Sequence, residues 1–352
     1  FFGLVLITST SFEQNTSSSV ISADDLLQNF QDYVVIDISK DEKFLEDSIA
    51  GALHVTRNDI SKRDDAFDGL IASREKMEAL MTTLGLSAAD HLIVYDHKGG
   101  SDAGRLWWVL THYGHENVQL LDGGIKAWGD RNSQIDSINT VQPAAEYTFS
   151  ASPTNEVRLV ELEEMKAAVD NPNILLIDTR NKDEFEGKFQ KEGAFKAGRI
   201  PNSIHIDWAE NIDYHGDQLL LSETELTELY ASKGITKDKE IIVYCHSGVR
   251  SAFSAFVLSE VLNFPNVGNF DGSWIEWGYH SELAIDTGVV ALPVEEYVAT
   301  YGEVFWAGFR NFASYTWNEI TFQVSPWYVN YFWLLVVLSL VVWLLEIAFP
   351  WR

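Results

Sequence analysis

Residues 245–250 read Cys-His-Ser-Gly-Val-Arg, and Cys245 is the only cysteine among 352 residues. A free cysteine is more often a small filler of a core than a nucleophile. Its neighbours here argue otherwise. The apolar run IIVY (241–244) precedes it and the stretch SGVRSAFSAFVLSEVL (247–262), which opens a helix, follows. The thiol therefore stands where a strand hands over to a helix, the place where open α/β sheets gather function. Gly248 lets the backbone curl so that successive N–H groups point inward as an anion-binding nest, reinforced by the positive end of the helix. Such surroundings lower a thiol's pKa and favour the thiolate. Arg250 adds a fixed guanidinium able to grip an oxyanion through two bonds. His246 and Ser247 are weaker candidates, equally suited to capping the loop, facing solvent or touching a substrate.

The elements that must position this loop occur twice. LIVYDHKGG (92–100) answers IIVYCHSGV (241–249), and LLDGGIKAWG (120–129) answers NFDGSWIEWG (269–278). Both pairs share an offset of 149 residues, from Asp96 to Cys245 and from Asp122 to Asp271. VVIDIS (34–39) and IAGALHV (49–55) answer LLIDTR (175–180) and IPNSIHI (200–206), with a longer insertion between the blocks of the second copy. A repeat this long means duplicated domains rather than a solenoid. Short apolar runs without alternation, followed by stretches of period near 3.6, predict parallel strands covered on both faces by helices. In the second copy the expected strands are 174–178, 203–206, 241–244 and 267–270, and the expected helices 159–169, 182–186, 223–233 and 250–262. The fold class is thus α/β, with two similar domains over 20–131 and 157–284. Residues 132–156, rich in Ser, Asn, Thr and Pro, read as a solvated linker.

Composition narrows the functions on offer. A net charge of -27 argues against a surface that tracks phosphate backbones, so nucleic acid is excluded as a partner. One cysteine rules out an intrachain disulfide, a thiolate zinc cluster and a resolving-thiol pair, so no metal is called for. Residues 330–349, NYFWLLVVLSLVVWLLEIAF, are twenty residues with one charge, the length and character of a transmembrane helix. Residues 285–329 are aromatic-rich and suited to lying on a bilayer or against the subunits of a membrane complex. Residues 1–19 read as the remnant of a signal peptide or anchor. Together these ends predict a membrane-anchored protein with its domains on the extracytoplasmic, periplasmic side.

CHSGVRS, preceded by IDTRNKDEFEG and AGRIPNSIHI and followed by FDGSWIEWG, resembles the rhodanese sulfurtransferases, in particular the tandem-domain thiosulfate sulfurtransferases with a C-x-x-G-x-R loop. The likeness covers about residues 20–285. Tyrosine-phosphatase-like enzymes place five residues between Cys and Arg, room for a phosphoryl group; this chain has four, which suits a single sulfur atom held as a persulfide. The resemblance implies catalysis by Cys245, with His246, Ser247, Gly248, Val249 and Arg250 forming the persulfide and substrate loop. Thiosulfate would be the donor, and cyanide or a thiol the acceptor, without metal or organic cofactor. Asp96 replaces the nucleophile in the first copy, which is therefore inactive. One position departs from the pattern: Glu184 stands where related enzymes carry a donor-binding arginine. An acid there repels anionic donors unless it points away, leaving the donor to Arg250 and, less directly, Arg180. Arg180 and Asp178 suit a structural pair, and Trp274 is a candidate for lining the cleft. The loop's final arginine sets it apart from the 3-mercaptopyruvate type. The alternative is a sulfur-carrying or docking subunit of a larger membrane assembly.

Overall fold

The computed structural model describes residues 19–63, 67–135, 146–150 and 157–288. The expected transmembrane segment 330–349, almost all of the aromatic-rich stretch before it and residues 1–18 lie outside these. No helix among the described residues is long and apolar enough to cross a membrane.

The first copy runs β1 (Val20–Ile21), α1 (Ala23–Gln28), β2 (Val34–Ile38), α2 (Asp41–Glu46), β3 (Leu53–Val55), the hairpin β4 (Ser61–Arg63) and β5 (Asp68–Ile71), α3 (Arg74–Thr83), β6 (Leu92–Tyr95), α4 (Ser101–Tyr113), β7 (Val118–Leu121) and α5 (Gly124–Trp128). The second runs β8 (Val157–Val160), α6 (Leu162–Ala168), β9 (Ile174–Asp178), α7 (Lys182–Phe185), β10 (Ile204–His205), α8 (Glu223–Ser232), β11 (Glu240–Tyr244), α9 (Val249–Phe256), β12 (Val267–Phe270) and α10 (Ser273–Tyr279). The strand orders β1-β7-β6-β2-β3 and β8-β12-β11-β9-β10 are the same topology made twice, parallel throughout. In β11 every residue from Ile241 to Tyr244 is buried, which is why this strand shows no alternation in sequence.

Two expectations need correction. The helix expected over 159–169 begins only at Leu162, because Val157–Val160 forms the edge strand β8, paired with β12 from Val157↔Val267 to Phe270↔Val160. The short V-R-L-V run satisfies strand and helix periods alike, and the sheet edge decides between them. The linker is exposed at 132–134, 146 and 148 but is fastened at two points. Tyr147 and Phe149 are buried, the Tyr147 N–H donates to Thr82 Oγ1 at 2.9 Å and the Phe149 N–H to Glu78 Oε1 at 3.2 Å. Composition hides this, because two aromatic anchors are enough to fasten a polar segment to α3.

The copies meet through α4 and α9. A Cβ on Gly104 would stand 2.7 Å from the Phe253 Cα, so only glycine allows the two helices this approach. Trp107 packs edge-on to Phe256 with ring centroids 4.8 Å apart, and a single apolar core runs through both copies. Reciprocal arms complete the junction. The Ile71 N–H donates to Asp271 Oδ2, and the Leu220 N–H to Asp122 Oδ1, both at 2.8 Å. All four residues obey the 149-residue offset, so each copy's Asp-Gly turn receives the other copy's arm.

Candidate active site

β11 carries Cys245 to the carboxyl end of the sheet, where it is 1% exposed. Gly248 turns the chain at φ 72°, and a Cβ there would stand 2.6 Å from the Asp271 carbonyl oxygen; conformation and space both require glycine. Ser273 ties the loop's two ends. Its Oγ accepts the N–H of Cys245 at 3.1 Å and of Gly248 at 2.9 Å, and donates to the Phe270 carbonyl at 2.7 Å. Ser273 itself holds a left-handed φ of 51°, a conformation costly for a non-glycine residue and sustained here by those bonds. The first copy has Gly124 at the matching position, with φ 54°. That exchange of Gly for Ser between copies is the sequence signal for Ser273.

Burial pushes the Cys245 thiol up. The Arg250 charge, the Ser251 hydroxyl and N–H and the Ser247 N–H act against it and leave the thiol below its ordinary value. The first copy displays the same cradle filled. Asp96 Oδ1 accepts the N–H groups of Lys98 at 2.8 Å and Gly100 at 2.9 Å, and its Oδ2 those of Asp102 at 2.7 Å and Ala103 at 3.1 Å. Burial, then the neighbouring Asp102, raise the pKa of this carboxyl, while the N–H groups oppose them. Asp96 thus supplies its own anion to the nest. The matching N–H groups in the second copy belong to Ser247, Val249, Ser251 and Ala252, and there the centre holds a sulfur atom.

Arg250 differs from its expected state. Rather than offering a free fork, it meets Glu184 in a bidentate pair, Nη1 to Oε2 at 2.8 Å and Nη2 to Oε1 at 2.9 Å. Glu184 therefore neither points away nor stands as an unpaired repulsive charge. Its side chain is 2% exposed, and a buried carboxylate needs such a partner. Burial pushes its pKa up, but the hydrogen bonds and charge of Arg250 bring it below the ordinary value. Asn181 helps to aim it, since its side chain accepts the Glu184 N–H at 2.9 Å in a capping box. The spacing from Arg180 drew attention to Glu184, but its partner is unreadable without the turn of α7 toward the loop.

Arg180 is buried and occupied. Its Nε donates to Asp178 Oδ1 at 2.9 Å, its Nη2 to Asp178 Oδ2 at 2.5 Å and to the Gly198 carbonyl at 2.7 Å, and its guanidinium lies 4.6 Å from the Trp274 ring. This is the structural pair, with Nε and Nη2 both committed. Trp274 is core and does not line a cleft. It is 1% exposed and its Nε1–H donates to the Lys196 carbonyl at 2.9 Å. His246 is buried too, with Nε2 3.1 Å from the Glu192 carbonyl. Burial, then the charge of Lys191, push it down to about 4, so it is neutral at physiological pH. Ser247 lies under the hairpin of the first copy, 3.2 Å from where a Cβ on Gly69 would be.

Lys191, exposed in the inserted loop, is a charged neighbour of the site that sequence reasoning missed. Desolvation, then the like charge of Arg250, lower its pKa, while Glu184 and Cys245 pull the other way and Arg57 of the first copy adds repulsion. Its position in the inserted loop after α7 gave no periodic signal. Among the described residues no group of three or more His, Cys, Asp or Glu is placed to hold a metal.

Comparison with protein families matches the rhodanese-like domain twice, over residues 22–131 and 161–280. The chain belongs to the rhodanese-like domain family. A Mycobacterium tuberculosis protein named "Putative thiosulfate sulfurtransferase" is 34% identical over 282 residues, covering 76% of this chain and 98% of that one. The "Sulfur carrier protein TtuD" of Thermus thermophilus is 33% identical over 220 residues, 58% of this chain and 74% of its own. A crystal structure of the anaerobic ergothioneine biosynthesis enzyme from Chlorobium limicola superposes with a TM-score of 0.65 at 22% identity, covering 77% of this chain and 71% of that one. At that identity the likeness concerns the fold alone. The tandem rhodanese architecture and its similarity to proteins named for sulfur transfer agree with the chemistry of the Cys245 loop.

Proposed function

We propose that this tandem rhodanese moves sulfane sulfur from thiosulfate to a thiophilic acceptor through a persulfide on Cys245. The observation that carries the reading is the pair of loops. One nest is filled by the Asp96 carboxylate, and its twin surrounds a thiol held below its ordinary pKa. In the first step the Cys245 thiolate attacks the outer sulfur of thiosulfate. The sulfur–sulfur bond of the donor breaks, and sulfite leaves with the bonding pair. The product is a persulfide anion, whose outer sulfur the loop's N–H groups stabilise as they stabilise Asp96. Cyanide or a thiolate then attacks that outer sulfur, forming thiocyanate or a new persulfide and returning the Cys245 thiolate. The cysteine is the carrier, so the cycle draws on no separate cofactor.

The neutralised Arg250 lowers the attraction for a doubly charged donor, and among the described residues Lys191 is a cation near the loop with no carboxylate clamped to it. Sulfite release from thiosulfate with cyanide tests the reading, together with a mass gain of one sulfur on Cys245 after donor alone. Retained activity in Cys245→Ser would overturn it. In this reading residues 330–349 anchor the protein in a membrane with its domains outside the cytoplasm, and resistance of the full chain to alkaline extraction from membranes tests that. A second reading, a sulfur-carrying subunit, is favoured by the likeness to the Thermus carrier protein. A persulfide on Cys245 that turns over with a protein thiol but not with cyanide would select it.

A further inference from the structure

The two copies are alike at their arms and at their Asp-Gly turns, but one side chain breaks the symmetry. Arg105, in α4 of the inactive copy, is 1% exposed. Its Nη1 donates to the Gly248 carbonyl of the Cys245 loop at 3.2 Å and its Nη2 to the Gly69 carbonyl at 3.1 Å, while Nη2 also lies 2.6 Å from Asp271 Oδ1 in an ion pair. The residue at the matching position of the second copy is Ser254, too short to return the contact; its Oγ lies 3.5 Å from Asn211 Nδ2 within its own domain. Among the described residues, only the loop that carries the cysteine is therefore held by an arginine from the other copy.

The bonded atom matters. A peptide unit is planar and trans, so fixing the carbonyl of Gly248 fixes the N–H of Val249 in the opposite direction. Arg105 and Asn269, whose Nδ2 donates to the same oxygen at 3.2 Å, pull that carbonyl away from the sulfur. The Val249 N–H therefore points the opposite way from that carbonyl. Its counterpart in the inactive copy is the Gly100 N–H, which donates to Asp96 Oδ1 at 2.9 Å. Arg105 also carries a buried charge, matched by Asp271, whose Oδ2 is held in turn by the Ile71 N–H. A carboxylate in that position orients the guanidinium as a second layer orients a metal ligand.

We propose that Arg105 of the inactive copy is a positioning residue for the Cys245 loop: by holding the Gly248 carbonyl outward it aims the Val249 N–H at the sulfur and favours the anion there. The inactive copy is then part of the catalytic apparatus, which explains why a domain without a nucleophile is packed so closely on one that has it. The proposal rests on the reading of Cys245 as the reacting thiol.

Because Cys245 is the only cysteine, the pH dependence of iodoacetamide labelling of the full chain reports on this thiol alone. The other charged or titratable groups around it, Arg250, Glu184, Lys191 and His246, are the same in every variant compared. Arg105→Lys keeps the charge beside Asp271 but cannot hold the three partners at once. Arg105→Met removes charge and bonds together. The labelling midpoint should rise by about half a pH unit in R105K and about one in R105M. Sulfite release should fall about threefold or more in kcat, with KM for thiosulfate little changed. A midpoint and kcat unchanged in folded R105K and R105M, with only the melting temperature lowered, would make Arg105 merely structural and overturn the proposal. If neither variant melts cooperatively, Asn269→Ala decides, since it removes the second donor to the same carbonyl; an unchanged midpoint there overturns it. The wild-type midpoint separates the two readings: an ordinary thiol value counts against Cys245 as a thiolate, whereas a low value that the variants leave in place counts against Arg105 alone.

Discussion

Replacing Glu184 by Gln separates two effects that its ion pair combines. The amide keeps one oxygen for Arg250 but turns an NH2 group toward the other guanidinium nitrogen. At least one of the two bonds, 2.8 and 2.9 Å long, is lost together with the negative charge. A hydrogen bond to a charged group contributes about 1.5–3 kcal/mol, and removing one partner of a fully buried pair costs about 3–5 kcal/mol. The Arg250 side chain keeps 16% exposure, so the lower range applies, and the melting midpoint should fall by roughly 4–8 °C. The pH dependence has a definite sign. The pKa of Glu184 is lowered from 4.5 in the folded chain, so its contribution is present above that value and lost as pH falls through the folded pKa. E184Q should lack this part of the acid sensitivity. The chemistry should move the other way. Without the carboxylate the charge of Arg250 acts undiminished on Cys245 and on an incoming anion. Two unit charges about 7 Å apart interact by about 2 kcal/mol at an effective dielectric of about 20. Water at the partly open site reduces this, and KM for thiosulfate should fall roughly three- to tenfold. Sulfite release against thiosulfate concentration, with a melting curve in the same buffer, reads both effects. A variant that melts lower and also binds thiosulfate more weakly would refute the reasoning, because Glu184 would then assist the donor rather than compete with it for Arg250.

Asp96→Asn should destabilise the first copy by about 1–3 kcal/mol, since its amide group can serve only one of two pairs of converging N–H groups; denaturant unfolding checks this. Asp122 is pushed up to about 6, chiefly by burial. Its folded pKa lies above the ordinary carboxylate value of 3.8, so the stability it contributes is complete below that value and lost as pH rises through about 6. Asp122→Asn should flatten that part of the stability–pH profile measured by urea melts, and an unaltered profile would remove Asp122 from the account. Gly104→Ala should lower stability by about 1–3 kcal/mol, because the new methyl group meets the backbone of Phe253 at 2.7 Å. A wild-type melting curve for it would mean that α4 and α9 are free to separate.

Local pattern made the duplicated α/β plan readable, because buried parallel strands such as Ile241–Tyr244 appear as unbroken apolar runs and the loop blocks repeat in order. The position of the candidate thiol was readable for the same reason, as a cysteine between a strand and a glycine-led helix start. Side-chain pairing was not. Glu184 and Arg250 are 66 residues apart, and their meeting depends on how α7 turns toward the loop. Arg105 and Gly248 are 143 apart, joined only when α4 packs on α9. Trp274 looked available because aromatic type alone does not distinguish a cleft wall from a core anchor. Edge strand β8 was lost inside a helical expectation because four residues satisfy either period until a neighbouring strand chooses.

The carboxylate of Asp96 can be viewed as a ligand that never dissociates. Being attached to the chain, it occupies its nest at a local concentration that no free solute approaches, so dissolved sulfite, thiosulfate or phosphate cannot displace it. Of two scaffolds of the same topology, only the one built around Cys245 is offered to a small anion. Titration with a small oxyanion should saturate at a single equivalent per chain, and the duplication doubles the framework without doubling the capacity.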